Sequence, residues 1–445
     1  MSVRPVLLAL ALLWALPAHA LTVLNTGKVA TFKNGKGMLR VGKDRGLATP
    51  TSPLCPQTSR LLLSSYPQST KLVEVHLDVA LACEGWRAAA GGFVWEDPTG
   101  NGAIRKIVYS PKKLLVKFSG VAFDQPTGPV GYVHSWLTVG DTRLHVRYHN
   151  FRQNDATAII ARQPSKAAAD GEAAFWDVLH QNVTGAAKDA REHEAMTLLA
   201  KAAKRDKRDG RARFLLAMIH LYRFGQQVDG YAGASEAAKA DLAASAAAFD
   251  AAVPMLWDRD RNMGDSRVPG FAAATTFGLG FVTGDAALQA KGLADLEYAV
   301  GINEIFNFFD YIPVAQAVPP SDPLFGQILA AMDAYLAKPE NAQCIVTQPE
   351  ICGDAGLAPH NGAGALILFG DIYAKGGNVQ QATQWYGLAA ALAAGNPSPY
   401  KFQDALNARL ADPAGRVALY QDADPTNDPP IIGARAEACA NCHAK

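Results

Sequence analysis

Gln163-Pro164-Ser165-Lys166-Ala167 divides the sequence into two stretches of different period. Upstream, apolar and polar residues alternate in Leu72-Val73-Glu74-Val75-His76-Leu77-Asp78-Val79 and recur in Lys113-Leu114-Leu115-Val116-Lys117-Phe118, as expected of strands with one buried face. Between Gly131 and His149, two runs rich in Val, Leu, Trp and Tyr flank Gly140-Asp141 and predict a hairpin. Turn clusters at Asp97-Pro98-Thr99-Gly100-Asn101-Gly102 and Gln125-Pro126-Thr127-Gly128-Pro129 punctuate short strands. Residues 21–165 are therefore expected to be an all-β sandwich or barrel. Downstream, from 166 to 411, Ala, Leu, Lys and Glu dominate with helical periodicity. Ser235 to Val253 and Ile328 to Lys338 are especially Ala-rich, and the turn residues between such stretches suit antiparallel helix pairs. The expectation is a multidomain chain in which a helical solenoid or bundle follows the β domain.

At 445 residues the chain is long enough for two or three domains. Its 49% hydrophobic and 19% charged residues fit a globular protein. The balance of 42 basic against 41 acidic side chains provides no overall field for nucleic acid or membranes. Arg4, the apolar run Val6 to Leu16, Pro17 and Ala18-His19-Ala20 have the pattern of a secretory signal peptide over residues 1–20. The mature chain is then expected to begin at Leu21, exported to the periplasm or the extracellular space, with no transmembrane anchor after signal removal.

Within the helical stretch, Leu366, Phe369, Gly370, Tyr373, Ala382, Tyr386 and Ala389 have the spacing of one tetratricopeptide repeat, which this segment resembles. The resemblance implies two antiparallel helices that approach closely at Gly370 and Ala382, with Tyr373 and Tyr386 filling the volume between pairs and Gly376-Gly377-Asn378 making the turn. Helices near 211–224 and 234–253 suggest a second unit that matches poorly, and 293–309 a third. Gly85-Trp86, Trp95, Asp97-Pro98 and Gly102 to Gly120 resemble a β module of secreted bacterial proteins of unknown role. Leu357-Ala358-Pro359-His360-Asn361 is similar to exported tetratricopeptide-like proteins without an assigned activity.

Six cysteines fall into three local pairs: Cys55 with Cys83, Cys344 with Cys352, and Cys439 with Cys442. Six cysteines allow fifteen pairings in general, so the first two pairs, read as disulfides, rest on locality and on the third being reserved. That third pair lies in Cys439-Ala440-Asn441-Cys442-His443, the attachment pattern of c-type haem. On a short helix the two sulfurs share a face and reach the porphyrin vinyl groups, while His443 supplies the proximal iron ligand. Competing readings are chance, a Cys439–Cys442 disulfide, or a metal site completed elsewhere. Chance would give such a pentapeptide roughly two times in a thousand, and export favours haem over cytosolic uses of the pair. The chain thus resembles an exported c-type cytochrome with one covalent haem c on its C-terminal segment.

Only Ala444 and Lys445 follow the motif, so the small cytochrome domain, whose motif comes early and whose Met ligand follows, is not expected. Residues 412–430 read as a Pro- and Asp-rich tether, and 431–445 as the haem-attachment segment. Candidates for a sixth iron ligand are His360, His180, His193, His220 and several methionines; His360 leads, as a loop imidazole able to face outward at a helix start, and the competing reading is a side chain hydrogen-bonded to the helix end. His134, His145 and His149 read as ordinary strand residues, and the charge-dense run Arg191 to Arg213 as a solvated face. No nucleophile elbow, phosphate loop or zinc-protease helix is present. The reading is an electron carrier with a redox partner docked on the helical domain; a haem enzyme such as a peroxidase ranks behind it, since the dihaem type needs a second attachment motif and the sequence has one. The alternative is an exported binding or scaffold protein whose haem is structural or senses a ligand.

Overall fold

The computed structural model describes residues 20–24, 28–42, 44, 46–47, 59–65, 74–89, 91–120, 123–126, 130–140, 142–149, 151–162, 164–228, 231, 233–260, 263–339, 341, 344, 358–396, 398–422, 424, 427–431 and 441–444. Of the expected signal peptide 1–20, residues 1–19 lie outside them, and Ala20 begins the first strand.

The β region holds thirteen strands among the described residues: β1 (Ala20–Leu24), β2 (Val29–Lys33), β3 (Lys36–Gly42), β4 (Arg60–Ser65), β5 (Glu74–Ala80), β6 (Trp86–Ala89), β7 (Gly92–Glu96), β8 (Ile104–Ser110), β9 (Lys113–Ser119), β10 (Val133–Val139), β11 (Thr142–Tyr148), β12 (Phe151–Asn154) and β13 (Ala158–Ala161). They form a five-stranded sheet, β1-β11-β10-β4-β5, and an eight-stranded sheet, β12-β13-β2-β3-β9-β8-β7-β6. Neighbours pair antiparallel except β1 with β11, which are parallel. One apolar core is shared by both sheets, with Leu61, Leu137 and Val146 from the first and Phe32, Val116 and Phe118 from the second, the arrangement of a sandwich. Two hairpins show their local cause. Asn34 and Gly35 between β2 and β3 both have positive φ, 53° and 67°, as a two-residue turn matched to strand twist requires. Gly140, at φ 58°, turns β10 into β11.

Strand β5 departs from the simple alternation. Its register against β4 shifts between Leu63 and Ser64, which pair with Leu77 and Val75, so His76 is the extra residue of a bulge. The bulge buries His76 beside Ser65, with Nε2 2.6 Å from the hydroxyl oxygen, and leaves Val75 exposed.

Thirteen α-helices follow among the described residues: α1 (Lys166–Leu179), α2 (Gly185–Arg205), α3 (Gly210–Gln227), α4 (Glu236–Leu256), α5 (Val268–Thr283), α6 (Ala286–Ile302), α7 (Glu304–Asn307), α8 (Ile312–Ala317), α9 (Pro323–Leu336), α10 (Asn361–Lys375), α11 (Val379–Gly395), α12 (Gln403–Ala411) and α13 (Pro413–Gln421). Short polar side chains start many of them: Ser165, Asp209, Ser235, Asp285, Asn378 and Asp412 each accept a hydrogen bond from the first turn. Sequence neighbours pack together, α1 on α2, α3 on α4, α5 on α6 and α10 on α11. At the last pair, a Cβ added to Gly370 would lie 2.3 Å from Tyr386 Cε1, so glycine permits the close approach. No helix among the described residues is long and apolar enough to cross a membrane.

Two expectations are corrected. Residues 412–430 do not begin as a tether: Asp412 caps α13, Pro413 occupies its first turn, and the helix packs against α10 and α11. Fully buried Asp371 on α10 accepts from Arg409 Nη2 at 2.9 Å, Arg416 Nε at 2.9 Å and the Tyr386 hydroxyl at 2.7 Å. Pro430 O accepts from Arg416 at 2.6 Å, and Ile431 joins the helical core. The run 191–213 is also not wholly solvated, because Arg211 is buried where the β and helical regions meet. Its Nη2 donates to Glu172 Oε1 at 2.9 Å, and Arg147 from β11 donates to the same oxygen at 3.3 Å. Burial alone would raise the Glu172 carboxyl, but Arg211, His149, Lys28 and Arg147 hold it well below the usual carboxylate range.

Candidate functional site

The start of α10 is the floor of the site. Residues 358–360 turn into the helix, with Asn361 N donating to Ala358 O at 3.2 Å, and Asn396 Nδ2 fixes the turn by donating to Pro359 O at 2.6 Å. His360 stands at the N-cap, but its side chain makes no capping bond. Its ring is 1% exposed, pointing inward rather than outward as expected. Neither Nδ1 nor Nε2 makes a hydrogen bond of normal geometry, the Pro399 backbone being the polar group the ring faces, and the Tyr400 ring is the aromatic neighbour, with centroids 5.2 Å apart. Burial pushes the His360 imidazole below its ordinary value, so the ring is held neutral.

Residues 441–443 of the C-terminal motif rest on this floor. Asn441, Cys442 and His443 form a helical turn. Fully buried Asn441 donates through Nδ2 to Gly364 O at 3.2 Å and accepts at Oδ1 from the Tyr400 hydroxyl. Cys442 O accepts from the His360 amide at 3.1 Å, and Cys442 Sγ lies 4.0 Å from Asn361 O. Gly364 makes this fit possible, since an added Cβ would lie 2.6 Å from Cys442 Sγ and 2.9 Å from Asn441 Nδ2. The His443 ring lies 5.6 Å from that of Trp176 on α1, and Trp176 in turn stacks on His180 at 5.4 Å. Lys401 donates to Gln181 O at 3.1 Å, joining the loop after α11 to the end of α1. The site therefore draws on α1, α10, the loop after α11 and the C-terminal turn.

Of the residues singled out from sequence, the structure brings Cys442, His443 and His360 together, with His180 nearby across Trp176. Cys439 lies outside the described residues. His220 pairs with Asp241 at 2.9 Å, and His193 is exposed on α2. In the β region His134 Nδ1 lies 2.9 Å from His145 Nε2, and His149 Nε2 lies 3.6 Å from Glu172. Cys83 and Cys344 are each disulfide-bonded; Cys55 and Cys352, the partners expected for them, lie outside the described residues. Sequence reasoning missed Gly364, Asn441, Tyr400 and Trp176, whose roles arise from tertiary proximity and carry no local pattern. Comparisons of the chain with protein-family models, curated proteins and solved structures find no match.

Proposed function

We propose that this is an exported monohaem c-type cytochrome-like protein, with haem c attached through Cys439 and Cys442 and held by His443 as the proximal iron ligand. The observation that supports the reading is the seating of Asn441, Cys442 and His443 beside a fully buried imidazole, His360, which has the Pro399 backbone as a neighbour but makes no hydrogen bond of normal geometry through either ring nitrogen. A buried polar atom without a partner costs about 1–3 kcal/mol, and coordination to a metal relieves that cost. The residues fit the group in chemical type: thiols for thioether attachment, one imidazole within the motif, and a second beside it as the candidate sixth ligand.

Haem held there supplies one-electron exchange between ferrous and ferric iron. The chain's own part is to position and to exclude water. Asn441, Tyr400 and Gly364 fix the height of the motif above α10, Trp176 flanks His443, and burial keeps His360 neutral and fit to be a ligand. The role is one-electron transfer with a redox partner docked on a tetratricopeptide-like helical domain, for which the α10–α11 pair is the supporting feature. A reversible redox titration of mature protein from a host that matures c-type cytochromes tests it. The expected result is a single one-electron wave with no carbon monoxide adduct in the reduced form. Protein that carries no haem overturns the proposal, and prompt carbon monoxide binding favours the ligand-sensing scaffold.

A further inference from the structure

In the β region, Glu74, His76 and Asp124 each offer a ligand atom, all within 4.8 Å of one another. Glu74 and His76 are two residues apart on β5, an edge strand of the five-stranded sheet, while Asp124 follows β9 of the other sheet. Asp124 is held from both sides: Phe123 stacks on Phe118 at 5.1 Å, and Gln125 Oε1 accepts from the Gly35 amide at 2.8 Å. Both carboxylates are exposed, and no described Lys or Arg pairs with either.

His76 supplies the independent observation. It is 5% exposed, its Nδ1 makes no hydrogen bond of normal geometry, and the ring faces Glu74 together with the backbone and carboxylate of Asp124. Its Nε2 is engaged by fully buried Ser65 at 2.6 Å. With Nε2–H donating to Ser65 Oγ, Nδ1 keeps its lone pair and is the ring atom left for the two carboxylates. A bound imidazole is commonly oriented in this way, its second nitrogen donating to an outer partner. A neutral nitrogen lone pair and two carboxylates gathered without a cation repel one another. The β5 bulge that turns His76 inward thus has a chemical consequence.

We propose that Glu74, His76 and Asp124 bind a divalent transition-metal ion of the zinc class, joining the edge of one sheet to the loop that leaves the other. One imidazole nitrogen and two carboxylate oxygens match the ligand preferences of Zn²⁺, and three protein ligands leave a position for water.

The test is zinc content after the full-length chain is incubated with excess Zn²⁺ and freed of unbound metal by gel filtration. The Cys439→Ala/Cys442→Ala chain removes the competing thiols and is expected to retain one zinc. In that background, Glu74→Gln with Asp124→Asn, both exposed and isosteric, and separately His76→Ala, are expected to retain none. Ser65→Ala, which frees the ring without removing a ligand, is expected to weaken zinc binding about 10- to 100-fold. Zinc is also expected to raise the melting temperature of the parent chain and leave that of the Glu74→Gln/Asp124→Asn chain unchanged. A parent chain without zinc, or a Glu74→Gln/Asp124→Asn chain with its full equivalent, overturns the proposal.

Discussion

Replacing Gly364 with Ala separates the stability of α10 from the seating of the C-terminal turn. Within a helix the change is favourable by about 0.5–1 kcal/mol, because glycine loses more backbone freedom on folding. Here the new Cβ would sit 2.6 Å from Cys442 Sγ and 2.9 Å from Asn441 Nδ2, well inside contact distance. Buried α10 is the stiffer partner, so the terminal turn is the part that moves. Among the described residues, three N–H or O–H hydrogen bonds seat it, His360 N to Cys442 O, Asn441 Nδ2 to Gly364 O and the Tyr400 hydroxyl to Asn441 Oδ1, beside the longer contact of Cys442 Sγ with Asn361 O. At about 1 kcal/mol each they supply up to about 3 kcal/mol, less the entropy of ordering the turn. Hydrogen exchange at the His360 amide reads this directly, since opening the turn exposes it. The expected loss of protection is about 10- to 100-fold in Gly364→Ala and at least as large in Gly364→Val, with global stability unchanged or slightly raised in the Ala variant. Unchanged protection at His360 in both variants would refute the seating.

Two further outcomes follow from buried charge. Asp371→Asn leaves Arg409 and Arg416 without their shared carboxylate in the helical core, and denaturant unfolding is expected to show a loss of about 3–5 kcal/mol, as when one member of a buried pair is removed; a loss below about 1 kcal/mol contradicts the network. His76, His149 and His360 are each pushed below the ordinary imidazole value of 6.5, in every case mainly by burial. The unfolded chain therefore binds more protons than the native one just below that value, and their stabilising contribution, complete above pH 6.5, is lost as pH falls beneath it. The urea midpoint of the haem-free Cys439→Ala/Cys442→Ala chain is expected to be lower at pH 5.5 than at pH 7.5 without added metal; an equal or higher midpoint at pH 5.5 contradicts the burial of these rings.

The features legible in the sequence were those with local causes. Gly140 turns a hairpin because its backbone permits positive φ, and Leu366, Phe369, Tyr373, Ala382, Tyr386 and Ala389 are all buried on α10 and α11 because helical spacing puts them on packed faces. Helix α13 was legible in principle, since Asp412-Pro413 is a capping residue followed by a first-turn proline, but the Pro- and Asp-rich run after it masks that signal. The bulge at His76, the parallel pairing of β1 with β11 and the burial of Arg211 beside Glu172 depend on partners distant in sequence. The site divides the same way. The Cys and His residues announce themselves by spacing, whereas Gly364, Asn441 and Tyr400 matter only because the C-terminal turn folds back onto α10.

Covalent haem on the terminal motif is read out by haem-linked peroxidase staining of the mature protein after denaturing electrophoresis, with expression in a host that matures c-type cytochromes. Thioether-bound haem stays with the polypeptide through denaturation. Full-length protein is expected to stain, with the stain lost in the Cys439→Ala/Cys442→Ala chain and retained in His360→Ala. An unstained band for the wild-type chain, or a stain that survives loss of both cysteines, would rule out thioether attachment at Cys439 and Cys442.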